Sequence, residues 1–380
     1  MKIAGIICEY NPFHLGHKKQ IDLLKQDRDT AVVCLMSGNF VQRGAPAIVD
    51  KQLRAKAAVQ CGADLVLELP VTTALQSAEG FAAGGVSILS RLCTHLCFGA
   101  ETGDKDILMD IAQALLSADF TLALRTKLDA GLSFPAARQQ ALEEMGLPGS
   151  VLQQPNNILA VEYCKAIISQ NAHMEILPII REGGYHDLLA DQENPSATAV
   201  RQLMLTGDNW EHFVPETAAK CFCCTQLHTL HAGERAILGQ LRRMEDADFE
   251  AIPYGSEGLW RKLMHAARSK SSLEDILTET KSKRYTRSRL DRMVMCAFLG
   301  ITQDILSTPA PYVRILAFND TGRQILKNAK NSGYFINIGQ SVPHSYQRLE
   351  ERWGSLYGLF ARDCAEAPDC EKNYRVYVEK

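Results

Sequence analysis

The sequence lacks long hydrophobic runs, an excess of charge of one sign, internal repeats and low-complexity segments. No stretch approaches the roughly 20 apolar residues that cross a bilayer. The apolar run at 3–8 is too short for the core of a signal peptide. We therefore expect a cytoplasmic protein that does not enter a membrane. The net charge of −3 provides no chain-wide basic surface, so any contact with nucleic acid must come from a local cluster.

The cysteines do not indicate a disulfide framework either. The twelve cysteines are scattered through apolar segments such as 33–35 and 96–98, which is typical of buried, reduced thiols. Hydrophobic residues make up 46% and charged residues 22% of the 380 residues, and this composition is that of a globular protein. A chain of this length favours two or three domains.

Apolar runs alternate with helical segments along the first part of the chain. Strands are predicted at 2–8, 31–36, 64–69, 95–98 and 176–180, and helices at 14–25, 50–61 and 77–92. Strands that alternate with helices predict an α/β fold with a doubly wound parallel sheet. One edge of that sheet is expected to carry the loops that follow strands, at 8–14, 37–44, 99–103 and 181–187.

The pattern changes after about residue 205. Residues 206–300 have a helical pattern without a strong strand, and residues 301–380 are mixed, with strand-like runs at 312–318 and 334–338. We therefore expect an α/β domain over 1–205, a mainly helical domain over 206–300, and a small mixed α/β region over 301–380.

The motif from Glu9 to His17, EYNPFHLGH, is the strongest indication of chemistry. His14 and His17 share one face at the start of a predicted helix, where backbone N–H groups and the helix dipole attract phosphate. Gly16 has no Cβ, so a nucleotide can approach the backbone. Such donors suit attack at the α-phosphorus of ATP with pyrophosphate leaving. The alternative is two surface histidines, which the position directly after the first strand disfavours.

A second segment opens a predicted helix after the fifth strand. Ser196 and Thr198 can cap that helix or bind phosphate, and Arg201 lies one turn later. Arg43, in the loop at 37–44, is a further candidate. These four residues are candidate phosphate or acetate contacts, with plain capping and a surface arginine as the alternatives.

The segment 281–292 carries six basic residues in twelve and one acid, Asp291. Basic side chains neutralise phosphates, and Tyr285 can stack on a base. RNA or ATP contact is therefore favoured over a solvated helix face. The predicted RNA-binding residues are Lys281, Lys283, Arg284, Tyr285, Arg287 and Arg289.

Two further clusters are weaker. A basic helix face that includes Lys51 and Arg54 is expected to be solvated. The CxxC motif at 221–224 is followed by His228 and His231, but this spacing is much shorter than in zinc fingers. No protein metal site is therefore predicted.

Several motifs together resemble one known family. They are EYNPFHLGH (9–17), MSGNFVQRG (36–44), ELP (68–70), FGAE (98–101), PNNILAVEY (155–163) and KRYTRSR (283–289). They are similar to those of the bacterial tRNA(Met) cytidine acetate ligase family, in the HxGH nucleotidyltransferase superfamily. The resemblance runs from residue 1 to about residue 295. Ala197 departs from the wider superfamily pattern SSTxxR, in which serine stands there.

The resemblance implies a ligase that activates acetate with ATP as acetyl-adenylate. The acetyl group then passes to N4 of the wobble cytidine of elongator tRNA(Met), which gives N4-acetylcytidine, AMP and pyrophosphate. It implies a nucleotidyltransferase-like catalytic domain over 1–205, ATP as a substrate, and tRNA and acetate as partners. Mg²⁺ is the ordinary expectation for a protein that uses ATP. His14 and His17 would be catalytic. The implied ATP-binding residues are Ile7, Cys8, Glu9, Tyr10, Asn11, Pro12, Phe13, His14, Leu15, Gly16, His17, Lys18, Lys19, Gln20, Gly99, Asn157 and Arg181, with Asn157 preferred to Asn156.

Two other functions stay open at this point. A small-molecule adenylyltransferase would share the HLGH motif but has no use for a basic helical segment. A non-catalytic RNA-binding protein with a vestigial nucleotide site is disfavoured, because His14, Gly16 and His17 are intact. No residue identifies the acyl group by itself, and the oligomeric state is open.

Overall fold

The computed structural model describes residues 1–180, 195–329, 332–364 and 370–380. The strands are β1 (Lys2–Cys8), β2 (Thr30–Ser37), β3 (Phe40–Val41), β4 (Ala45–Pro46), β5 (Leu65–Leu69), β6 (His95–Ala100), β7 (Glu175–Ile180), β8 (Val313–Phe318), β9 (Phe335–Asn337) and β10 (Tyr377–Val378). The helices are α1 (Leu15–Lys25), α2 (Lys51–Gln60), α3 (Val71–Ala74), α4 (Ala78–Leu89), α5 (Lys105–Leu115), α6 (Ala118–Asp129), α7 (Phe134–Glu144), α8 (Pro155–Ser169), α9 (Ala197–Thr206), α10 (Glu216–Phe222), α11 (Leu230–Arg243), α12 (Asp246–Glu250), α13 (Leu259–Ser269), α14 (Leu273–Thr280), α15 (Arg287–Leu299), α16 (Gln303–Ser307), α17 (Asp320–Asn328), α18 (Ser345–Tyr357) and α19 (Cys370–Asn373).

Five parallel strands form the centre of the main sheet, in the order β5-β2-β1-β6-β7. Along the chain, β2 and β5 are added on one side of β1, and β6 and β7 are then added on its other side. In open α/β sheets, ligands bind in the crevice at such a reversal, beyond the carboxyl ends of the strands. The loops after β1 and β6 flank this crevice, and the predicted doubly wound α/β fold is confirmed.

Strands from the end of the chain extend this sheet. β8 pairs with β5 in the antiparallel direction, and β9 and β10 each pair with β8 in the parallel direction. The sheet is therefore mixed, whereas the sequence predicted a parallel one. Pairing with a distant segment leaves no mark in the local pattern of β5, a buried apolar run like its neighbours. The boundaries predicted near residues 205 and 300 stay predictions, although strands from 1–205 and 301–380 share this sheet.

Helices cover both faces of the sheet. On one face, α4, α5 and α8 bury Phe81, Ile111 and Tyr163 against the strands. On the other face, α1, α2, α9 and α10 pack through residues such as Ile21 and Val200. The small buried side chains of α2, Ala55, Ala57 and Ala58, allow a close approach to the strands.

A second layer of helices forms its own core beyond the sheet. Helices α11, α13, α14, α15 and α18 bury Leu263, Ile276, Met293 and Trp353 together. Residues 206–300 are all described and contain helices and turns but no named strand, as predicted. Across the described ranges, no single helix is long and apolar enough to span a membrane. Helices α5 and α6, bent by 74°, pass that length and composition test only as a pair.

Candidate nucleotide-binding site

Two histidines cap the first turn of α1, directly after β1. The Nδ1 atom of His14 accepts a hydrogen bond from the Gly16 backbone N–H (3.1 Å), and Nδ1 of His17 accepts one from the His14 backbone N–H (3.2 Å). Because both Nδ1 atoms are acceptors, each neutral imidazole carries its hydrogen on Nε2. The two side chains thus complete a reciprocal capping box and keep a second ring nitrogen as a donor.

Aromatic packing holds these rings in place. The centroids of the His14 and His17 rings lie 3.6 Å apart with an interplanar angle of 26°, and His17 also contacts Tyr10 at 4.8 Å and Phe13 at 5.7 Å. Tyr10 and Phe13 are fully buried, so they form a rigid floor. Burial raises the pKa of the neighbouring Cys8 thiol well above its ordinary value. Cys8 therefore stays protonated and is not a nucleophile at neutral pH.

A cavity of about 360 Å³ opens at this edge of the sheet. It brings together predicted residues from the loops after β1, β2, β6 and β7. They are Ile7, Cys8, Glu9, Tyr10, Asn11, His14, Gly16, His17, Lys19, Gln20, Arg43, Gly99, Ser196, Thr198 and Arg201. Other predicted residues are absent from its described lining, namely Pro12, Phe13, Leu15, Lys18 and Asn157. Arg181 lies outside the described residues.

The segment from Ser196 to Arg201 reaches the N-terminal loop. Ser196 caps α9 by accepting a hydrogen bond from the Ala199 N–H (3.1 Å). Arg201 donates from Nη1 to the Asn11 carbonyl (2.7 Å) and from Nη2 to the Thr198 hydroxyl (3.1 Å). One guanidinium therefore connects the two predicted segments at the cavity wall, and phosphate contact by this segment stays a prediction.

Asn157 lies behind the cavity wall. Its Oδ1 atom accepts hydrogen bonds from the backbone N–H groups of Glu101 (2.9 Å) and Thr102 (3.1 Å), and its Nδ2 donates to the Val151 carbonyl (3.2 Å). The side chain therefore fixes the loop after β6. Asn156, the less favoured candidate of the pair, lines the cavity instead.

Arg54, which the sequence pattern placed on a solvated helix face, is fully buried. Its guanidinium donates to four backbone carbonyls, of Glu9 (2.6 Å), Val49 (2.7 Å), Ser37 (3.1 Å) and Gly38. It therefore joins the ends of β1 and β2 beneath the cavity. Burial also lowers the pKa of Arg54 from its ordinary value.

Lys51 is buried as well. Its Nζ lies 2.8 Å from Glu68 and 2.5 Å from Glu371. The expectation that the basic face of α2 is solvated is therefore wrong at Lys51 and Arg54. A helix pattern does not show that carbonyls and carboxylates from other segments compensate buried cations.

A β-hairpin connects the cavity to the basic segment. Strands β3 and β4 pair, and the turn between them contains Arg43, which is exposed and lines the cavity. Arg292 of α15 donates from Nη1 to the Gln42 carbonyl (3.5 Å). At Gly44, with φ of +74°, a Cβ atom would lie 2.4 Å from the Arg292 backbone nitrogen. The hairpin and α15 are therefore in close backbone contact.

Most arginines of the basic segment have intramolecular partners. Arg284 forms an ion pair with Glu257 (2.7 Å), to which Tyr285 also donates (2.8 Å). Arg287 binds both carboxylate oxygens of Glu274, each at 2.8 Å, and this hydrogen bonding lowers the pKa of Glu274. Arg289 donates to the Tyr254 carbonyl. RNA contact by the six predicted residues stays a prediction.

Metal ligation by side chains alone has no support in the described ranges. No group of three or more His, Cys, Asp or Glu side chains there is placed to hold a metal ion. In the CxxC region, Cys221 donates to Gln60 (3.4 Å), and the His228 ring stacks on Tyr357 at 3.9 Å.

Comparison with known proteins gives consistent results. A family model described as HIGH nucleotidyl transferase matches residues 1–367. The tRNA(Met) cytidine acetate ligase of Clostridium perfringens is 37% identical over 364 residues, 89% of each chain, and that of Clostridium acetobutylicum is 35% identical over 373 residues, 92% of each chain. The crystal structure of apo Thermotoga maritima TmcAL matches with a TM-score of 0.90 at 28% identity, and its complex with alpha-thio ATP matches with 0.87. Both matches cover 100% of both chains.

Proposed function

We propose, from the premise that this chain belongs to the HIGH nucleotidyl transferase family and to its tRNA(Met) cytidine acetate ligases, that it ligates acetate to a tRNA cytidine. It uses ATP to activate acetate and transfers the acetyl group to N4 of the wobble cytidine of elongator tRNA(Met). The reaction takes place in the cytoplasm. The observation that carries the proposal is the reciprocal capping of His14 and His17 at the sheet reversal, because it presents two imidazole donors at a phosphate-binding helix terminus.

In the first step, acetate attacks the α-phosphorus of ATP. A carboxylate O–P bond forms and the bond to the β-phosphate oxygen breaks, which yields acetyl-adenylate and pyrophosphate. Negative charge builds on the transferred phosphoryl and on the leaving pyrophosphate. The Nε2–H groups of His14 and His17 stabilise this charge, and Arg201 together with Ser196, which also line the cavity, holds the phosphates.

In the second step, the cytosine amine attacks the acetyl carbonyl. A C–N bond forms, the C–O bond to AMP breaks, and the amine proton passes to AMP or solvent. The lone pair of this amine is delocalised into the ring, so the reaction needs an activated acyl group and close positioning. The contact between the hairpin and α15 supports this step, because it joins the cavity to a basic surface that suits RNA.

Mg²⁺ enters this proposal as a companion of ATP. The described residues contain no three-ligand cluster, and Mg²⁺ commonly binds substrate phosphates while it keeps several waters. When bound, it neutralises phosphate charge, and the side chains named above orient the nucleotide.

The test is to incubate the purified protein with ATP, Mg²⁺, labelled acetate and tRNA, without coenzyme A. The tRNA is then digested and its nucleosides are examined for N4-acetylcytidine, with a His17→Ala variant alongside. We expect acetylcytidine from the wild type and not from the variant. If label never enters RNA while ATP adenylylates a phosphorylated small molecule, the adenylyltransferase alternative replaces this proposal. If tRNA binds without either reaction, the binding-protein alternative replaces it.

A further inference from the structure

We propose that the exposed side of α13 binds the phosphate backbone of the substrate RNA, together with the start of the basic segment. The surface is formed by Arg261, Lys262, Lys281 and Lys283, and we call it the α13 surface. The inference rests on the proposed function for the identity of the RNA. The proposed RNA contact extends to α13, whereas the residues predicted from the sequence all lie within 281–289.

Helix α13 has two unlike faces. Leu263, Met264 and Ala267 point inward and are buried in the helical core. The outward side carries Arg261 and Lys262, which are exposed. His265 and Arg268 extend the same exposed side towards the end of the helix. Residues 259–273 contain four basic residues and no acid. Two of them, Arg268 and Lys270, pair with Asp246 (2.7 Å) and Glu279 (3.8 Å), which leaves the charges of Arg261 and Lys262. Such a local excess attracts a polyanion.

The α13 surface continues into the basic segment. Lys262 donates from Nζ to the Lys281 carbonyl (3.1 Å), so the two stretches touch although 18 residues separate them in sequence. From Lys281 the chain runs into α15, whose Arg292 contacts the hairpin at Gln42 on the cavity edge. Two contacts, at Lys281 and at Gln42, and the chain between 281 and 292 therefore link the cavity edge to α13. An RNA held at the cavity can then extend over this surface.

The α13 surface differs from the rest of the basic segment because its basic residues form no ion pairs among the described residues. Arg284 and Arg287 already bind the carboxylates of Glu257 and Glu274. In the part of the chain that the structure describes, no ion pair includes Arg261, Lys262, Lys281 or Lys283. The guanidinium of Arg261 instead lies over the Trp260 ring, 4.6 Å from its centroid. These four cations can bind phosphates without the loss of an ion pair.

The test uses the full-length protein and an unmodified transcript of elongator tRNA(Met). The double variant Arg261→Gln/Lys262→Gln removes two charges from the α13 surface. The variant Arg28→Gln/Arg125→Gln removes two exposed charges elsewhere and serves as the matched control. Tight RNA binding by cations is salt-dependent, and each lost phosphate contact lowers the salt slope by about one. We therefore measure the Kd at several salt concentrations.

We expect the Kd of the α13 variant to rise by about fivefold or more at low salt, with a salt slope shallower by about two. The charge-preserving variant Lys262→Arg/Arg261→Lys should bind like the wild type, as should the control pair. An unchanged Kd and slope, or an equal loss in the control pair, would overturn the proposal and leave α13 as a solvated face.

Acetate-dependent exchange of labelled pyrophosphate into ATP needs no RNA, so it distinguishes the two proposals. We expect exchange to be unchanged in the α13 variant while its KM for tRNA rises. If the wild type shows neither exchange nor acetylcytidine, the proposed function fails. The Kd comparison then still decides whether RNA binds the α13 surface.

Discussion

Arg201 and Asn11 are 190 residues apart in sequence, and the Arg201 guanidinium donates to the Asn11 carbonyl at 2.7 Å. The same guanidinium reaches Thr198, so it needs at least two nitrogens. Lysine keeps the charge but not this planar fork. We expect Arg201→Lys to raise the KM for ATP about tenfold, which corresponds to the loss of one charge-assisted hydrogen bond. Steady-state kinetics of acetate-dependent pyrophosphate exchange measure this, with Arg235→Lys as an exposed control. An unchanged KM would remove Arg201 from the nucleotide site.

His17 has two roles that substitution can separate. In His17→Asn, the side-chain oxygen replaces Nδ1 as the capping acceptor, but no atom replaces Nε2. We expect adenylate formation to fall about 100-fold or more, as when a charge-stabilising donor is lost. The free energy of unfolding of His17→Asn should fall by less than that of His17→Ala, in which loss of the cap costs about 1 kcal/mol. Urea denaturation and exchange kinetics test both claims. Near-wild-type activity in His17→Asn would show that Nε2 takes no part.

Arg54 should contribute to stability rather than to catalysis. Arg54→Met leaves four buried carbonyls without their donor, and we expect the free energy of unfolding to fall on the order of 3–5 kcal/mol. Lys56→Met, on the half-buried side of the same helix, is the control and should change it by less than about 1 kcal/mol. Urea denaturation measures both. Equal effects would mean that the Arg54 hydrogen bonds add little.

Glu371 should make stability depend on pH. Burial, and then the neighbouring Glu68 charge, raise the pKa of Glu371 from 4.5 to about 7 in spite of Lys51. The folded state then binds this proton more tightly than the unfolded state, so stability is fully present below about pH 4.5 and declines as the pH rises through 7. Two carboxylates share one lysine, so Glu371→Gln should be more stable than the wild type at pH 8 and equal to it at pH 4.5.

Urea titrations of wild type and Glu371→Gln across this pH range measure the difference. The expected gain at pH 8 is on the order of 3 kcal/mol. Glu143→Gln, on an exposed helix face, should follow the wild type at every pH. A Glu371→Gln protein that is less stable than the wild type at pH 8 would show that the Lys51 ion pair outweighs the desolvation of the carboxylate.

Gly44 should couple the cavity to the proposed RNA-binding surface. Gly44→Ala adds strain at φ +74° and places a Cβ 2.4 Å from the Arg292 nitrogen, so the hairpin must move away from α15. We expect tRNA acetylation to fall about tenfold or more, while pyrophosphate exchange falls much less. Gly131→Ala is the matched control, because its φ is +88° and nothing lies within 4 Å of the added Cβ. Parallel losses in both activities would contradict this coupling.

Much of the fold could be predicted from local patterns. The five parallel strands are continuous apolar runs that end in polar turns, and such runs identify buried strands wherever they occur. The strand at 312–318 was predicted by the same signal, with an end within one residue of the observed one. The position of this strand beside β5 could not be predicted, because the antiparallel pairing of β8 with β5 depends on contacts between segments far apart in the chain.

The candidate site divides in the same way. The spacing of His14 and His17 predicts that they share one helix face, so their proximity could be predicted from the sequence alone. The expectation for Arg54 was wrong because a charged residue in a helix usually lies in water, and its four acceptors come from other segments. The partners of Arg284 and Arg287 were missed because Glu257 and Glu274 precede them by 27 and 13 residues.

The place of β8 beside β5 has a consequence for synthesis on the ribosome. The strands that carry the nucleotide site emerge first, and β5 then presents an open hydrogen-bonding edge with Leu65 and Leu67 beside it. An uncovered apolar edge of this kind pairs readily with other chains. At ordinary rates of translation, β8 follows only after some tens of seconds. The nascent protein must therefore shield its sheet during this interval, so a chain that stops before residue 313 should aggregate although it holds the complete HLGH motif.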